Sequence, residues 1–177
     1  KTTLLLETIR RLKHEMRIGV IEADIESMVD AEKIERAGAG AVQIRTGGDC
    51  HIDAAMLKPA LDAMDLDTVD LLFLENVGNL VCPAEFDTGA SRNMMLLSVP
   101  EGDDKVLKYP LMFTVCDLLL VTKTDCRPLF DFDLKKLETR VRQLNPRMEI
   151  IPVCAKSGEN MDAWLDWLRK ALADFTR

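Results

Sequence analysis

The apolar positions of the chain form two kinds of segment that alternate along its length. Short aliphatic runs predict strands, and longer stretches with an apolar residue every three or four positions predict helices. The predicted strands are 18–21, 69–74, 94–99, 117–121 and 149–153, with a weaker candidate at 41–44. The predicted helices are 2–15, 30–37, 51–63, 133–143 and 161–174, with Asp133 and Asn160 as N-caps.

This alternation of strands and helices predicts the α/β fold class. Strands separated by helices form parallel sheets, because a crossover connection returns the chain to the same direction, and the helices then cover both faces. Asn145-Pro146 and Ser157-Gly158 mark turns in the last third, and neither repeats nor low-complexity linkers interrupt the chain. We therefore expect a single domain spanning residues 1–177.

The charge balance argues against nucleic acid and anionic membranes as partners. The chain carries 23 basic and 30 acidic residues, a net charge of −7, whereas binding to a phosphate backbone depends on lysine and arginine. Apolar runs such as 71–74 and 118–121 are far shorter than the roughly 20 residues that cross a bilayer. The N-terminus also lacks the pattern of a secretion signal, so we expect a cytoplasmic protein.

The first three residues match the end of a phosphate-binding loop. In such a loop a lysine reaches the β and γ phosphates, and a hydroxyl group at the start of a helix holds Mg²⁺. Lys1, Thr2 and Thr3 stand in these positions, although the glycines that belong before them are absent from the sequence. Taken alone, the triplet is better explained by a helix that simply begins there.

Two polar segments, each following a predicted strand, indicate guanine recognition. They are Thr122-Lys123-Thr124-Asp125 and Cys154-Ala155-Lys156. Ligands bind at the carboxyl ends of strands in open α/β sheets. There Asp125 can accept hydrogen bonds from the ring N–H and the amino group of guanine, the Lys123 stem can cover the ring, and a backbone N–H of the second segment can meet the base carbonyl. For the first segment, a solvated Lys-Thr-Asp turn is the alternative.

Two carboxylates at strand ends predict the magnesium side of a nucleotide site. Glu75 ends a predicted strand and Asp24 closes another, so either could hold Mg²⁺ through water, while Gly78 could approach the γ phosphate. Asp24 could also form a nucleotide-sensing switch with Ser27 and Asp30. The alternatives are an ordinary turn after Glu75 and helix capping by Asp30.

Cysteine and histidine residues suggest a metal site. The chain has five cysteines at uneven spacing, which argues against a disulfide framework. Cys50 and His51 lead into a predicted helix whose dipole favours thiolate, and Cys82 could supply a second sulfur to Ni²⁺ or Zn²⁺. Water, or the same residues of a second subunit, would complete the site. The alternative is plain burial, which we expect for the remaining cysteines: Cys116, Cys126 and Cys154.

Together these motifs closely resemble the hydrogenase nickel-incorporation GTPases, the HypB family, over essentially the whole chain. The matching stretches are 20–24, 30–34, 46–53, 75–83, 97–99 with 101–102, 107–110 and 161–164. The resemblance implies a three-layer P-loop NTPase fold of the SIMIBI type, with helices on both faces of a mostly parallel sheet. Its first strand and glycine loop are missing from this sequence, and we expect native residues to precede Lys1.

The resemblance also implies roles for the residues already singled out. The family's phosphate and magnesium residues correspond to Lys1, Thr2, Asp24 and Glu75. Its guanine loops correspond to Lys123, Asp125, Ala155 and Lys156. Its interface metal ligands correspond to Cys50, His51 and Cys82. This sequence departs from the family pattern in having Thr122 in place of the usual asparagine and Cys154 in place of a small hydroxyl residue.

The implied function is that of a GTPase metallochaperone. It would bind GTP, Mg²⁺ and nickel or zinc, form a homodimer with the metal at its interface, and pass nickel to the [NiFe]-hydrogenase large subunit with other maturation proteins. Lys1 and Mg²⁺ would neutralise phosphate charge while Asp24 or Glu75 positions water. Without the glycine loop, hydrolysis to GDP should be slow. The alternatives are a nickel GTPase chaperone for urease and a non-hydrolysing metal-binding scaffold.

Overall fold

Six strands and seven α-helices lie along residues 1–24 and 29–176, the part of the chain that this computed structural model describes. The side chains at positions 24, 29 and 30 also lie outside the description. The strands are β1 Ile18–Asp24, β2 Gly40–Arg45, β3 Leu71–Glu75, β4 Met94–Ser98, β5 Leu118–Thr122 and β6 Glu149–Val153. The helices are α1 Thr2–Leu12, α2 Val29–Ala37, α3 Ala54–Ala63, α4 Lys105–Lys108, α5 Pro110–Val115, α6 Leu134–Leu144 and α7 Met161–Phe175.

All six predicted strands and all five predicted helices are confirmed, with ends that differ by a few residues. Helix α3 begins three residues later than predicted because Asp53 is its N-cap and accepts a hydrogen bond from the Met56 N–H. Helices α4 and α5 were not predicted. They have 4 and 6 residues, too few turns for an apolar period to be recognised.

The two predicted N-caps of the later helices have different outcomes. Asp133 is confirmed, because its carboxylate accepts from the Lys136 N–H at the start of α6. Asn160 precedes α7 with a left-handed φ of 54°, and its side chain makes no capping bond. Its amide instead donates to the Pro152 carbonyl at 2.9 Å. Asn160 therefore stands at the predicted N-cap position of α7. Its side chain bonds to strand β6 and does not cap the helix.

The chain divides into two compact units, residues 2–90 and residues 91–176 with Lys1. Each unit contains one three-stranded sheet, with the orders β2-β1-β3 and β4-β5-β6. Every pairing in these sheets is parallel, as predicted. The single-domain assignment for 1–177 stays a prediction.

In residues 2–90 the core lies between helix α3 and the sheet. Ile21 of the central strand is fully buried and packs with Leu57 and Ala60 of α3. Partly buried apolar residues surround this cluster: Val42, Ile44, Leu61, Met64, Leu72 and Leu74. Because α3 follows β2 directly, its packing on the sheet fixes the start of the helix and the loop that precedes it.

In residues 91–176 the core centres on strand β5. Four of its five residues, Leu118 to Val121, are buried, and its last residue Thr122 reaches the surface edge. Helix α7 packs against β6 with a buried face that includes Trp164 and Leu168. Full burial on both sides of β5 accounts for its continuous apolar sequence. The loops after β5 and β6 therefore start from firmly held strand ends.

Candidate metal centre and nucleotide loops

Two thiols and an imidazole meet in residues 2–90. Atoms from Cys50, His51 and Cys82 that could bind metal all lie within 4.8 Å of one another. The two sulfurs are 2.6 Å apart, and Cys50 Sγ is 3.9 Å from His51 Nδ1. Cys50 is exposed, and the other two residues are partly buried. The structure thus brings together all three residues predicted as metal ligands, although 32 positions separate the cysteines.

The loop between β2 and α3 carries the first two of these residues. Gly47 and Gly48 turn it with φ values of 65° and 102°, a region that residues with a Cβ rarely adopt. Cys50 and His51 lie before Asp53, the N-cap of α3, and hence outside the first helical turn. The position at a helix N-terminus that we expected for them is therefore wrong by three residues.

The ionisation of Cys50 also differs from expectation. We expected the helix dipole to favour thiolate, but the pKa of the Cys50 thiol is raised from its usual value. The main cause is its hydrogen bond to Cys82, followed by partial desolvation, while a contact from Asn79 opposes the shift. Ionisation of Cys50 is disfavoured because a thiolate there would lose the hydrogen bond that the neutral thiol donates to Cys82 and would stand in a partly desolvated position. A bound cation would remove this penalty.

The donor set suits a soft or borderline cation. Thiolate sulfur and imidazole nitrogen are the ligands that select nickel, zinc and copper over magnesium or calcium. Their separations within 4.8 Å are compatible with a shared ion after small side-chain adjustments. Three protein ligands leave one or more positions open for water, a second subunit or a receiving protein.

Polar and aromatic neighbours hold this cluster, and sequence reasoning did not identify them. The Asn76 side chain accepts hydrogen bonds from the backbone N–H groups of Ile52 and Val77. The Asn79 side chain contacts both cysteine-bearing segments. Phe86 stacks on His51 with a centroid distance of 3.7 Å and an interplanar angle of 16°. The recurrence of asparagine in Glu75-Asn76-Val77-Gly78-Asn79 was the available signal, because asparagine favours backbone-bonded turns.

The predicted guanine loops contact each other in residues 91–176. Thr122 and Val153 are register partners at the ends of β5 and β6. Beyond them, Cys154 Sγ donates to Asp125 Oδ1 at 3.3 Å. Lys123 and Asp125 are exposed, and Lys123 has a left-handed φ of 58° that turns the chain after β5. The loops therefore meet at the carboxylate that we expect to read the base.

A second contact fixes the spacing of these loops. The buried Thr124 hydroxyl donates a short hydrogen bond to the Glu159 carboxylate. The Cys154 N–H donates to the Glu159 carbonyl at 3.0 Å, and the Gly158 N–H donates to the Cys154 carbonyl at 2.9 Å. These bonds close the loop that contains Ala155 and Lys156. Ala155 is partly buried and Lys156 is exposed.

Two of the predicted magnesium residues, Asp24 and Glu75, lie at the carboxyl edge of the other sheet. Strand β1 ends at Asp24 and the adjacent strand β3 ends at Glu75, with Glu22 as the register partner of Glu75. Thr2 is the first residue of α1, and Gly78 is exposed after β3. Ser27 and the side chains of Asp24 and Asp30 lie outside the described residues. Helix α2 begins at Val29, which places Asp30 inside the helix and not at its cap.

Glu22 is a further acidic residue that sequence reasoning missed. It is 4% exposed in the central strand β1, and its register partners are Gln43 and Glu75. Register partners in a parallel sheet project from the same face, so polar side chains of all three strands form one row. The signal was an acid inside an apolar strand, because burying a carboxylate is costly without polar neighbours.

The remaining cysteines largely follow the burial prediction. Cys116 and Cys154 are buried, whereas Cys126 is only partly buried, so the prediction is wrong for Cys126. Burial raises the pKa of the Cys116 thiol to about 12. Cys126 lies between the exposed residues Asp125 and Arg127 of a short 3₁₀ segment, which explains its contact with solvent.

Comparison with known proteins identifies one matching family and similar individual proteins. The family described as "CobW/HypB/UreG, nucleotide-binding domain" matches residues 1–152. The hydrogenase maturation factor HypB of Escherichia coli K12 is 49% identical over 168 residues, covering 95% of this chain and 58% of the relative. This chain therefore spans little more than half the length of that protein. Among the described residues, no helix is long and apolar enough to cross a membrane.

Two solved structures share the fold. A crystal structure of HypB from Helicobacter pylori in complex with nickel has a TM-score of 0.91 and 36% identity, covering 97% of this chain and 81% of that one. The HypB structure from Archaeoglobus fulgidus has a TM-score of 0.88 and 40% identity, covering 97% and 84%. These matches confirm the predicted α/β fold of the P-loop NTPase class.

Proposed function

Because this chain belongs to the CobW/HypB/UreG nucleotide-binding family and is similar to hydrogenase maturation factors, we propose that it binds nickel and GTP and serves hydrogenase maturation as a GTP-hydrolysing nickel carrier. The observation that carries this proposal is the convergence of Cys50, His51 and Cys82 within 4.8 Å. The family is one of nucleotide-binding proteins, and nickel is present in the H. pylori relative.

The chemistry of the three residues supports nickel as cargo. Two sulfurs and one imidazole provide strong donors, but the set is small and Cys50 is exposed. A carrier must release its ion, and an open, incomplete ligand set allows a receiving protein to add ligands before the first ones leave. Zinc suits the same donors, so we propose that either ion can bind.

The contacts in residues 91–176 support guanine as the base. Asp125 offers two acceptor oxygens to the two adjacent N–H donors of guanine, a pair that adenine lacks. Cys154 holds one of these oxygens at 3.3 Å and so restricts rotation of the carboxylate. The departure from a hydroxyl residue at position 154 therefore preserves a donor to Asp125, because a thiol S–H can donate a weak hydrogen bond.

For hydrolysis, water attacks the γ phosphorus, and the bond between that phosphorus and the bridging oxygen breaks. The electron pair of the broken bond stays on GDP, and the proton of the water passes to the released phosphate. The Lys1 ammonium group would neutralise charge on the phosphate oxygens, and Asp24 or Glu75 would orient the water. Thr2, Asp24 and Glu75 would hold Mg²⁺, which when bound supplies further charge neutralisation. The adjacency of β1 and β3 supports this set, because it places both strand ends at one sheet edge.

Partners and assembly are also proposals. We propose that two copies associate so that Cys50, His51 and Cys82 of both complete the nickel site, and that nickel then passes to other maturation proteins and the hydrogenase large subunit. Exposure of Cys50 supports an interface position. Symmetry makes such an arrangement economical in sequence, because each subunit provides the same residues.

Nickel binding with matched cysteine variants tests the proposal. Cys50→Ala and Cys82→Ala should each lower nickel affinity by roughly 100-fold or more, since loss of a direct ligand exceeds the 10- to 100-fold effect of outer-shell changes. Affinity is measured by competition with a chromophoric chelator under reducing conditions. Cys126→Ala is the control, because Cys126 is partly exposed yet lies outside the ligand cluster.

The outcomes separate the hypotheses. If all three variants bind nickel as the unchanged chain does, the metal assignment is wrong. If nickel binding follows the prediction but no phosphate is released from GTP in the presence of Mg²⁺, the chain acts as a metal-binding scaffold. Affinity purification with hydrogenase and urease maturation proteins distinguishes the two delivery pathways.

A further inference from the structure

The three candidate metal ligands, Cys50, His51 and Cys82, belong to two segments that lie outside the strands and α-helices. Regular secondary structure therefore does not fix the position of one segment relative to the other. Cys50 precedes α3 by four positions, and Cys82 begins a short 3₁₀ turn after β3. The three donors are therefore carried by loops. Loops carry few regular backbone hydrogen bonds, so side chains must define their geometry.

One side chain bonds both segments. The Asn79 Nδ2 group donates to the Cys50 carbonyl at 2.7 Å. The Asn79 Oδ1 atom accepts from the N–H groups of Val81 at 2.7 Å and Cys82 at 3.1 Å. The donor arm thus fixes the backbone of one cysteine, and the acceptor arm fixes the backbone of the other. Both polar atoms of the Asn79 side chain are engaged by these backbone groups.

An aromatic ring fixes the third donor. Phe86 lies almost parallel to the His51 imidazole, at 16° and a centroid distance of 3.7 Å. Stacking covers one face of the imidazole and resists its rotation, while the edge nitrogens stay available. Phe86 itself is 40% exposed, so core packing alone does not explain an aromatic residue there.

We propose that Asn79 and Phe86 are positioning residues for the nickel site, with Asn79 setting the spacing of the two thiols and Phe86 setting the plane of the imidazole. This inference rests on the proposed function, because it assumes that Cys50, His51 and Cys82 bind nickel. In this proposal neither residue supplies a ligand atom. Their effect is to reduce the ordering that the loops must undergo when nickel binds, which raises affinity.

Two substitutions at Asn79 distinguish its bond to the Cys50 carbonyl, which bridges the two segments, from its bonds to the nearby Val81 and Cys82 N–H groups. Asn79→Ala removes both arms, whereas Asn79→Ser keeps an oxygen that can accept from the Val81 N–H but lacks the arm that reaches Cys50. Nickel affinity of the full chain, measured with nickel chloride and a competing chelator, should fall roughly 10- to 100-fold in Asn79→Ala. In Asn79→Ser the fall should be about 10-fold, because the bridge to Cys50 is lost.

Asn145 provides a matched control. Its side chain also donates to distant carbonyls, those of Phe113 and Cys116, and accepts from the Arg147 and Met148 N–H groups. It lies in residues 91–176, outside the metal cluster. Asn145→Ala should therefore lower thermal stability to an extent comparable with Asn79→Ala, but leave nickel affinity unchanged.

The role of Phe86 is tested with one variant that lacks the aromatic ring and one that keeps it. Phe86→Leu keeps apolar bulk but removes the stacked ring, and nickel affinity should fall roughly 2- to 10-fold, the range expected for loss of an aromatic pair. Phe86→Tyr keeps an aromatic ring at this position, so it should keep the nickel affinity of the unchanged chain. Phe130→Leu is the control because Phe130 is similarly exposed, at 44%, and lies in the other unit. The thiolate-to-nickel charge-transfer absorption should shift in Phe86→Leu but not in Phe130→Leu.

The results distinguish failure of this inference from failure of the proposed function. Wild-type nickel affinity in Asn79→Ala and Phe86→Leu, together with weak binding in Cys82→Ala, would overturn the positioning roles and leave the nickel site intact. Wild-type affinity in Cys82→Ala would overturn the nickel site itself. Equal losses in Asn79→Ala and Asn145→Ala would show that general destabilisation, and not positioning, lowers the affinity.

Discussion

The two units build their functional loops on similar sheets but hold those loops in different ways. In residues 2–90, the amides of Asn76 and Asn79 bond to backbone groups around the thiols. In residues 91–176, side chains bond to one another: Cys154 to Asp125, and Thr124 to Glu159. Each unit has a three-stranded parallel sheet below these loops.

Under the proposed function, the difference follows from what each site must fix. A metal ion needs several donor atoms at set distances, so the backbone segments that carry the donors are fastened. A base-reading carboxylate needs an orientation, so the carboxylate itself is held by a neighbouring donor. The sheets differ as well: strand β5 is apolar and buried up to Val121, whereas strand β1 contains the buried acid Glu22.

The largest effect that we predict concerns the two cores. Leu119→Ala, at a fully buried position of β5, should lower the free energy of unfolding by about 2–5 kcal/mol, because it leaves a cavity in a closely packed core. Leu72→Ala should cost less, since Leu72 is only partly buried at the edge of its cluster. Chemical denaturation followed by circular dichroism measures both values.

Tryptophan fluorescence adds a local measurement for the same pair of variants. Both tryptophans of the chain lie on α7, so their emission reports on residues 91–176. The midpoint of the fluorescence transition should move to lower denaturant in Leu119→Ala. Equal destabilisation by Leu72→Ala and Leu119→Ala would contradict the difference in burial between the two sheets.

A smaller effect is expected at the base-reading loop. Asp125→Asn should weaken GTP binding by roughly 10- to 100-fold, because an amide offers one acceptor where guanine presents two donors. Binding of xanthosine triphosphate should improve, since its carbonyl can accept from the new amide N–H. Equilibrium titration with fluorescent nucleotides measures both affinities.

Nickel binding is the control for this substitution. Asp125 lies outside the donor cluster of residues 2–90, so Asp125→Asn should keep the nickel affinity of the unchanged chain. Unaltered GTP affinity in Asp125→Asn would remove the guanine assignment. Loss of both GTP and nickel binding would indicate a damaged fold and contradict the separate stabilisation of the two loop systems.

The smallest effect concerns a surface ion pair of residues 2–90. The guanidinium and backbone N–H of Arg17 lower the pKa of Asp70 from 3.8 to about 2. Since the folded-state pKa is the lower one, the pair stabilises the fold above pH 3.8, and this contribution disappears as the pH falls toward 2. Asp70→Asn should therefore reduce the amount by which the free energy of unfolding falls between pH 3.8 and about pH 2.

The measurement for Asp70→Asn is a series of thermal unfolding curves at acidic pH and two salt concentrations. The exposed position of the pair predicts a modest effect that decreases with added salt. A pH dependence identical to that of the unchanged chain would show that Asp70 does not have a lowered pKa in the folded state.

The sequence determined the elements and the chemical types of the site residues. Apolar period is a local property, so β5, β6 and α7 were predicted within a few residues of their observed limits. Polar residues after apolar strands also marked the loops that contain Asp125 and Cys50. The helices α4 and α5 escaped prediction because a period cannot be read from one or two turns.

Only the tertiary structure decided which of these residues meet. Parallel register pairs Glu75 with Glu22, and loop closure brings Cys82 to 2.6 Å from Cys50. In the tertiary structure, the Asn79 side chain also bonds to both cysteine-bearing segments, and the Asn160 side chain bonds to strand β6 and not to its own helix. Such outcomes depend on packing and on hydrogen bonds between segments far apart in sequence, whereas a pattern of neighbouring residues reports only local conformational preference.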